Sequence, residues 1–116
     1  MENKIEITNQ MLIVIPQGLD KIASFKSKLE IPLQNVVGAS IDVGILNENK
    51  GFRNLGTALP GYWAGSYDKN GEKSFFNIKK EAKPIVIQLR NEKFNRLILG
   101  ADNAEKIVDA INNNIK

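Results

Sequence analysis

Over most of the chain apolar residues recur at every second position in short runs, the signature of half-buried strands. Ile5-Glu6-Ile7 alternates, Thr8-Asn9-Gln10 supplies turn chemistry, and Met11-Leu12-Ile13-Val14-Ile15 follows as a run rich in β-branched residues. The two pieces predict a small hairpin, ended by Pro16 and Gly18. Leu29-Glu30-Ile31-Pro32-Leu33 alternates again. Pro32 has no N–H to donate, which sets this strand at a sheet edge or ends it there. The clearest period-two run comes next: Val37, Ala39, Ile41, Val43 and Ile45 fall on one face, and Gly38, Ser40, Asp42 and Gly44 on the other.

Elsewhere the alternation breaks. Leu19, Ile22, Ala23 and Phe25 are spaced for two turns of helix, with Asp20 near its positive end, so Leu19–Lys26 is expected to be a short helix or a tight irregular crossing. Asn47-Glu48-Asn49-Lys50-Gly51 reads as a turn. From Gly51 to Tyr67 the chain holds its only tryptophan, both tyrosines and a cluster of glycines. Gly56, Pro60, Gly61 and Gly65 predict a loop over about 51–61 and a strand over Tyr62–Tyr67. Asn70-Gly71 is a strong hairpin signal, and Lys73–Ile78 is the return strand. Ile85–Leu89 and Arg96–Gly100 form a second hairpin. The end is helical: Asp102 as cap, Glu105 reaching back in a capping box, and Ile107, Val108, Ile111 and Ile115 along one stripe, with Asp109, Asn112, Asn113 and Lys116 facing water. About seven short strands followed by one amphipathic helix predict a mainly β or α+β domain, in which strands form a sandwich or incomplete barrel and the helix plugs an open end.

The totals narrow the chemistry. At 116 residues, with 42% hydrophobic and 25% charged residues, the chain is expected to be one soluble domain spanning 1–116. It has no cysteine and no histidine, which removes disulfides, Ser-His and Cys-His nucleophile systems and the usual zinc ligand sets. Asp42, Asp68 and Asp102 are the acids to weigh for catalysis. Asp68 belongs to a hairpin and Asp102 to a helix cap, and no second acid or base falls beside Asp42. No enzyme activity, cofactor or metal is therefore expected. A net charge of +3 is far below the dense positive stripe of a nucleic-acid binder. No signal peptide is visible and the longest apolar run, Met11–Ile15, is too short to span a bilayer, so the expected location is the cytoplasm, with attachment at the membrane periphery as a variant.

Four stretches carry a resemblance: Gly18-Leu19-Asp20-Lys21-Ile22; Leu29-Glu30-Ile31-Pro32-Leu33; Arg53-x-x-Gly56-Thr57-x-Leu59-Pro60-Gly61-x-x-Ala64-Gly65; and Arg96-Leu97-Ile98-Leu99 ahead of the helix. Together they resemble the bacterial pleckstrin-homology-like (PH-like) domain families, mostly of unknown function. The resemblance covers nearly the whole chain and is most specific from Arg53 to Gly65. It implies a split barrel of about seven antiparallel strands in two nearly orthogonal sheets, capped by a C-terminal helix over about 102–115. Some such domains assemble into rings, some sit beside membrane segments, and at least one small relative type acts in bacteriocin immunity. This chain has no apolar helix of the membrane-linked kind.

Each candidate contact also has a plain structural role. Arg53, Thr57 and Tyr62 form a candidate interaction loop in which Arg53 would present a planar fork of donors; glycines and Pro60 shaping turns, with Arg53 pairing an acid, is the bland alternative. Trp63 and Tyr67 share a strand face opposite Tyr62, so Trp63 is expected in or at the edge of the core and Tyr62 is the better exposed contact. Lys21, Lys26 and Lys28 are a candidate anion or membrane face, and Lys79, Lys80 and Lys83 a second group, but Asp20, Glu30 and Glu81 interrupt both. The favoured reading is a non-enzymatic binding or assembly module that contacts protein partners or its own copies through a sheet edge or the Arg53 loop. The alternative is peripheral attachment to anionic membranes, in the context of bacteriocin immunity. Nucleic-acid binding ranks below both.

Overall fold

Asn9 and Gln10 both take positive φ, 50° and 65°. A two-residue turn of this hand matches the twist of the strands it joins. It folds β1 (Asn3–Thr8) back on β2 (Met11–Pro16), with Thr8 opposite Met11 and Ile5 opposite Val14, as the alternation predicts. β3 (Leu29–Pro32) pairs with the other side of β2 and completes a three-stranded sheet in the order β1-β2-β3. The computed structural model describes residues 3–17, 28–48, 50–59 and 61–116, with 52–59 described by backbone alone. The short helix or irregular crossing expected over Leu19–Lys26 lies outside the described residues.

Leu33–Asn35 makes one 3-10 turn into β4 (Val36–Ile41). The expected nine-residue alternation stops short here. A bulge between Val36 and Gly38 turns Val36 inward and leaves Val37 53% exposed, and beyond Ile41 the chain leaves the sheet, so Val43 is 75% exposed. A second 3-10 turn, Ile45–Asn47, then folds back over the sheet, where Ile45 and Leu46 find cover.

The stretch expected as a loop over 51–61 is instead a strand. β5 (Phe52–Leu59) pairs antiparallel with β6 (Tyr62–Lys69), Leu59 opposite Tyr62 and Thr57 opposite Ala64. The turn chemistry is concentrated at its ends, where Gly51 and Gly61 hold φ of 86° and 77°. Gly56 is carried inside the strand opposite Gly65, and an irregularity between Arg53 and Leu55 absorbs one extra residue. This stretch is a hairpin at the edge of one sheet.

Asn70 and Gly71, with φ of 54° and 82°, turn β6 into β7 (Glu72–Lys79), as the Asn-Gly signal predicts. β8 (Ile85–Leu89) and β9 (Arg96–Leu99) form the expected hairpin, but β9 inserts beside β7 and runs parallel to it. The second sheet therefore has six strands in the order β4-β8-β9-β7-β6-β5. The described residues hold nine strands, with one parallel pair, where about seven strands, all antiparallel, were expected.

Helix α1 (Ala104–Asn114) closes the chain. The expected capping box does not form. Asn103, in the left-handed region at φ 59°, is the N-cap, with no side-chain cap bond, and Glu105 turns outward to pair with Lys83. The apolar stripe behaves as expected: Ile111 is fully buried and Ile107, Val108 and Ile115 pack against the core.

Both sheets and the helix meet in one core, built from Leu12, Val14 and Ile31 of the first sheet, Phe75, Ile85, Ile87, Leu97 and Leu99 of the second, and Ala104 and Ile111 of the helix. A buried amide clasp fastens the sheets together. Asn3 Nδ2 donates to the carbonyls of Asn77 (2.9 Å) and Gly100 (2.7 Å), and Asn77 Nδ2 donates to Asn3 Oδ1 at 2.9 Å. Amides this deep persist only when their bonds are made. On the opposite face of the six-stranded sheet a smaller core gathers Tyr67, Phe76, Ile78, Val86 and Ile98 under Ile45, Leu46 and Trp63.

Candidate functional site

Only some of the residues singled out in the sequence have described side chains. Arg53 and Thr57 lie on β5, opposite Tyr67 and Ala64, and their side chains fall outside the description. Tyr62 lies on the face opposite Trp63, as the strand parity predicts, but it is half-buried rather than exposed, and its hydroxyl donates to Asn77 Oδ1 at 2.9 Å, extending the amide clasp. Trp63 is half-buried at the edge of the smaller core, as the strand parity predicts, with the Lys50 ammonium 4.4 Å from its ring centroid. Lys21 and Lys26 lie outside the described residues. Lys28 is exposed and sits 3.7 Å from Glu30, and Lys83 is paired with Glu105. These lysines are partly neutralised in place, as a solvated charged face would be.

A cleft of about 440 Å³ opens on the outer face of the six-stranded sheet. Its floor is Phe76, Val86 and Ile98, and its rim mixes Asp42, Glu48 and Glu72 with Lys50, Lys69 and Arg96. Most of that rim is already engaged. Arg96 donates to Ser74 Oγ (3.1 Å) and Glu72 Oε1 (2.6 Å), and Lys50 Nζ donates to the Leu46 carbonyl at 2.7 Å. Burial pulls the Lys50 ammonium below its usual range, offset in part by the nearby Glu48. The Lys50 ammonium also lies over two rings of the sheet, 4.4 Å from the Trp63 centroid and 5.9 Å from that of Phe76. Among the described residues no group of three metal-ligating side chains forms.

The sheet edges are a sharper feature. Each exposes backbone N–H and C=O groups that invite another strand. At β4, the side chain of Asn112 occupies the position of a missing neighbour: Oδ1 accepts from Ala39 N–H and Nδ2 donates to Ala39 C=O, both at 2.9 Å. Asn112, expected to face water, thus seals that edge. At β3, Pro32 lies opposite Met11, while the flanking Leu33 N–H bonds to Gln10 C=O at 2.9 Å. The alternation of an antiparallel ladder then points the proline nitrogen outward, where it offers no donor. At β5, the irregularity between Arg53 and Leu55 interrupts the line.

β1 has none of these devices among the described residues. It is regular, without proline, glycine or bulge. The two-residue turn makes Thr8–Met11 a hydrogen-bonded pair, so Lys4, Glu6 and Thr8 bond to β2, and the N–H and C=O groups of Asn3, Ile5 and Ile7 face outward. Beside this edge runs an apolar groove against the helix, lined by Ile5, Ile7, Ile107, Ala110 and Ile111. It continues past Asn3 and Lys4 to Lys106. The sequence signal for this site was the alternation of Ile5 and Ile7. What it lacked was strand order, which decides that β1 rather than β2 is outermost.

Comparison of the chain with family models, with curated proteins and with solved structures finds no match. No helix among the described residues is long and apolar enough to cross a membrane.

Proposed function

We propose that the chain is a non-enzymatic binding or assembly module that engages a protein strand at the β1 edge of its three-stranded sheet. One observation carries this reading: among the described residues, β3, β4 and β5 are each blunted by proline, by the Asn112 amide or by a bulge, and β1 alone of these edges is left regular beside an apolar groove. Strand addition takes its affinity from main-chain hydrogen bonds and its specificity from the pockets that receive alternate side chains. The β1 edge supplies the first and the Ile5–Ile107 groove the second.

The PH-like character of the module belongs to the same proposal. It is supported by the sequence motifs, by the two sheets and by the C-terminal helix against their shared core. The six-stranded order with its parallel β7–β9 pair departs from that pattern. Attachment to an anionic membrane draws no support from Lys28 or Lys83, each of which has an acidic partner.

The test is a titration of the ¹⁵N-labelled chain with synthetic heptapeptides that alternate Val or Ile with Thr. Saturable shifts at Ile5, Ile7 and Ile107 are expected. Shifts confined to β5 or to the outer cleft, or none at millimolar peptide, would remove β1 from its role.

A further inference from the structure

The strand that β1 is built to accept is, we infer, β1 of a second copy of this chain, laid antiparallel about Ile5. The inference rests on the strand-addition reading and names its partner. Five registers keep the outward groups in line. Centring on Asn3 sets no other residue of β1 opposite β1, and pairing Asn3 with the other copy's Ile5 sets Lys4 against Lys4. Pairing Ile5 with the other copy's Ile7 sets Glu6 against Glu6, a like-charge contact on one face. Centring on Ile7 runs Ile5 into the Asn9–Gln10 turn and shortens the ladder. Centring on Ile5 sets Lys4 of each copy opposite Glu6 of the other and brings Ile7 opposite Asn3, so that all of the strand but Thr8 is paired.

The side-chain environment agrees with that register. Lys4 and Glu6 lie on the outer face with 58% and 44% of their side chains exposed and are only loosely joined within one chain, at 3.8 Å. They are free to turn to a partner. On the inner face, Ile7 of the second copy would arrive beside Asn3, over the part of the groove lined by Asn3, Ile5, Ile107 and Ala110. Alternating charge ordinarily protects an edge from other strands. Here the sequence Lys4-Ile5-Glu6 reads as its own complement when reversed, so it repels a generic strand less selectively than it accepts itself. A two-fold interface requires this kind of self-complementarity.

Sedimentation equilibrium of four proteins and one mixture tests the pairing. The wild type is expected to dimerise. Lys4→Glu and Glu6→Lys each create like-charge pairs at both ends of the ladder, so each should dimerise roughly tenfold more weakly. The double exchange Lys4→Glu/Glu6→Lys restores both pairs and should dimerise like the wild type. An equimolar mixture of the two single variants should form the mixed dimer in preference to either homodimer. Both side chains are exposed, and melting curves check that every variant folds. A wild type that stays monomeric at millimolar concentration, or a dimer indifferent to all these exchanges, overturns the self-pairing. If a monomeric chain still shows peptide-induced shifts at Ile5 and Ile7, strand addition stands and only the partner assigned here falls.

Discussion

Asn77 is where one side chain should matter most to the architecture. Its Nδ2 is the donor to Asn3 Oδ1 at 2.9 Å, its Oδ1 accepts from Tyr62, and both asparagines are almost wholly buried. Asn77→Ala deletes that donor and leaves Asn3 Oδ1 unsatisfied, which costs about 1–3 kcal/mol, and the void adds to it, for a total of about 2–4 kcal/mol. For a chain of this size that corresponds to a fall in Tm of about 8–16 °C. Asn77→Asp is the sharper probe because it keeps the shape. It sets a carboxylate oxygen against Asn3 Oδ1 in a buried site, so the new group's pKa is pushed above its unfolded value. The folded variant then binds more protons than the unfolded one between those two values, and its stability falls as pH rises through that window. Urea unfolding followed by Trp63 fluorescence should show a loss relative to wild type that is large at pH 7 and shrinks toward pH 4, where the protonated acid can donate to Asn3. A loss below about 0.5 kcal/mol at pH 7, or one that does not change with pH, would refute the clasp as described.

Other substitutions probe separate parts of the account. Asn112→Ala should unseal the β4 edge at a cost of about 1–2 kcal/mol, read by urea unfolding, and should speed hydrogen exchange at the Ala39 amide. Two glycines with similar φ should differ widely: Gly71→Ala meets nothing within 4 Å and should cost about 1–2 kcal/mol from its left-handed backbone, whereas Gly51→Ala would set its methyl 1.9 Å from the Asp68 carbonyl and should displace the β5–β6 pairing, visible as lost amide protection on β5. Glu105 has its pKa lowered, chiefly by its hydrogen bond from Lys83. Its contribution is therefore present above the unfolded pKa and lost as pH falls through the folded one, so Glu105→Gln should flatten the acid limb of the stability curve slightly and leave stability above pH 7 almost parallel to wild type.

Local signals read the local structure well. The Asn-Gly turn, the β8–β9 hairpin, the β1–β2 hairpin and the stripe of α1 were legible because each depends on neighbours within a few residues. Misreadings arose where tertiary context overrode composition. The glycines of 51–61 read as a loop, yet pairing with β6 holds the stretch as a strand. Val43 and Ile45 continued an alternation whose strand had already ended at Ile41. The parallel insertion of β9 has no local signature, because it fixes a contact between segments that are separate in the chain. The site was least legible. Pro32 marked one edge, but Asn112 could be read as an edge seal only once α1 was set against β4, and an open β1 follows only from strand order.

The central claim is that β1 is the edge through which this chain associates. Its most direct test is amide hydrogen exchange, measured residue by residue over a range of protein concentrations. Ile5 and Ile7 should exchange quickly when dilute and become protected as concentration rises. Ala39, already bonded to Asn112, should show the same protection throughout. Exchange at Ile5 and Ile7 that ignores concentration, or protection that builds on β5 instead, would contradict the account.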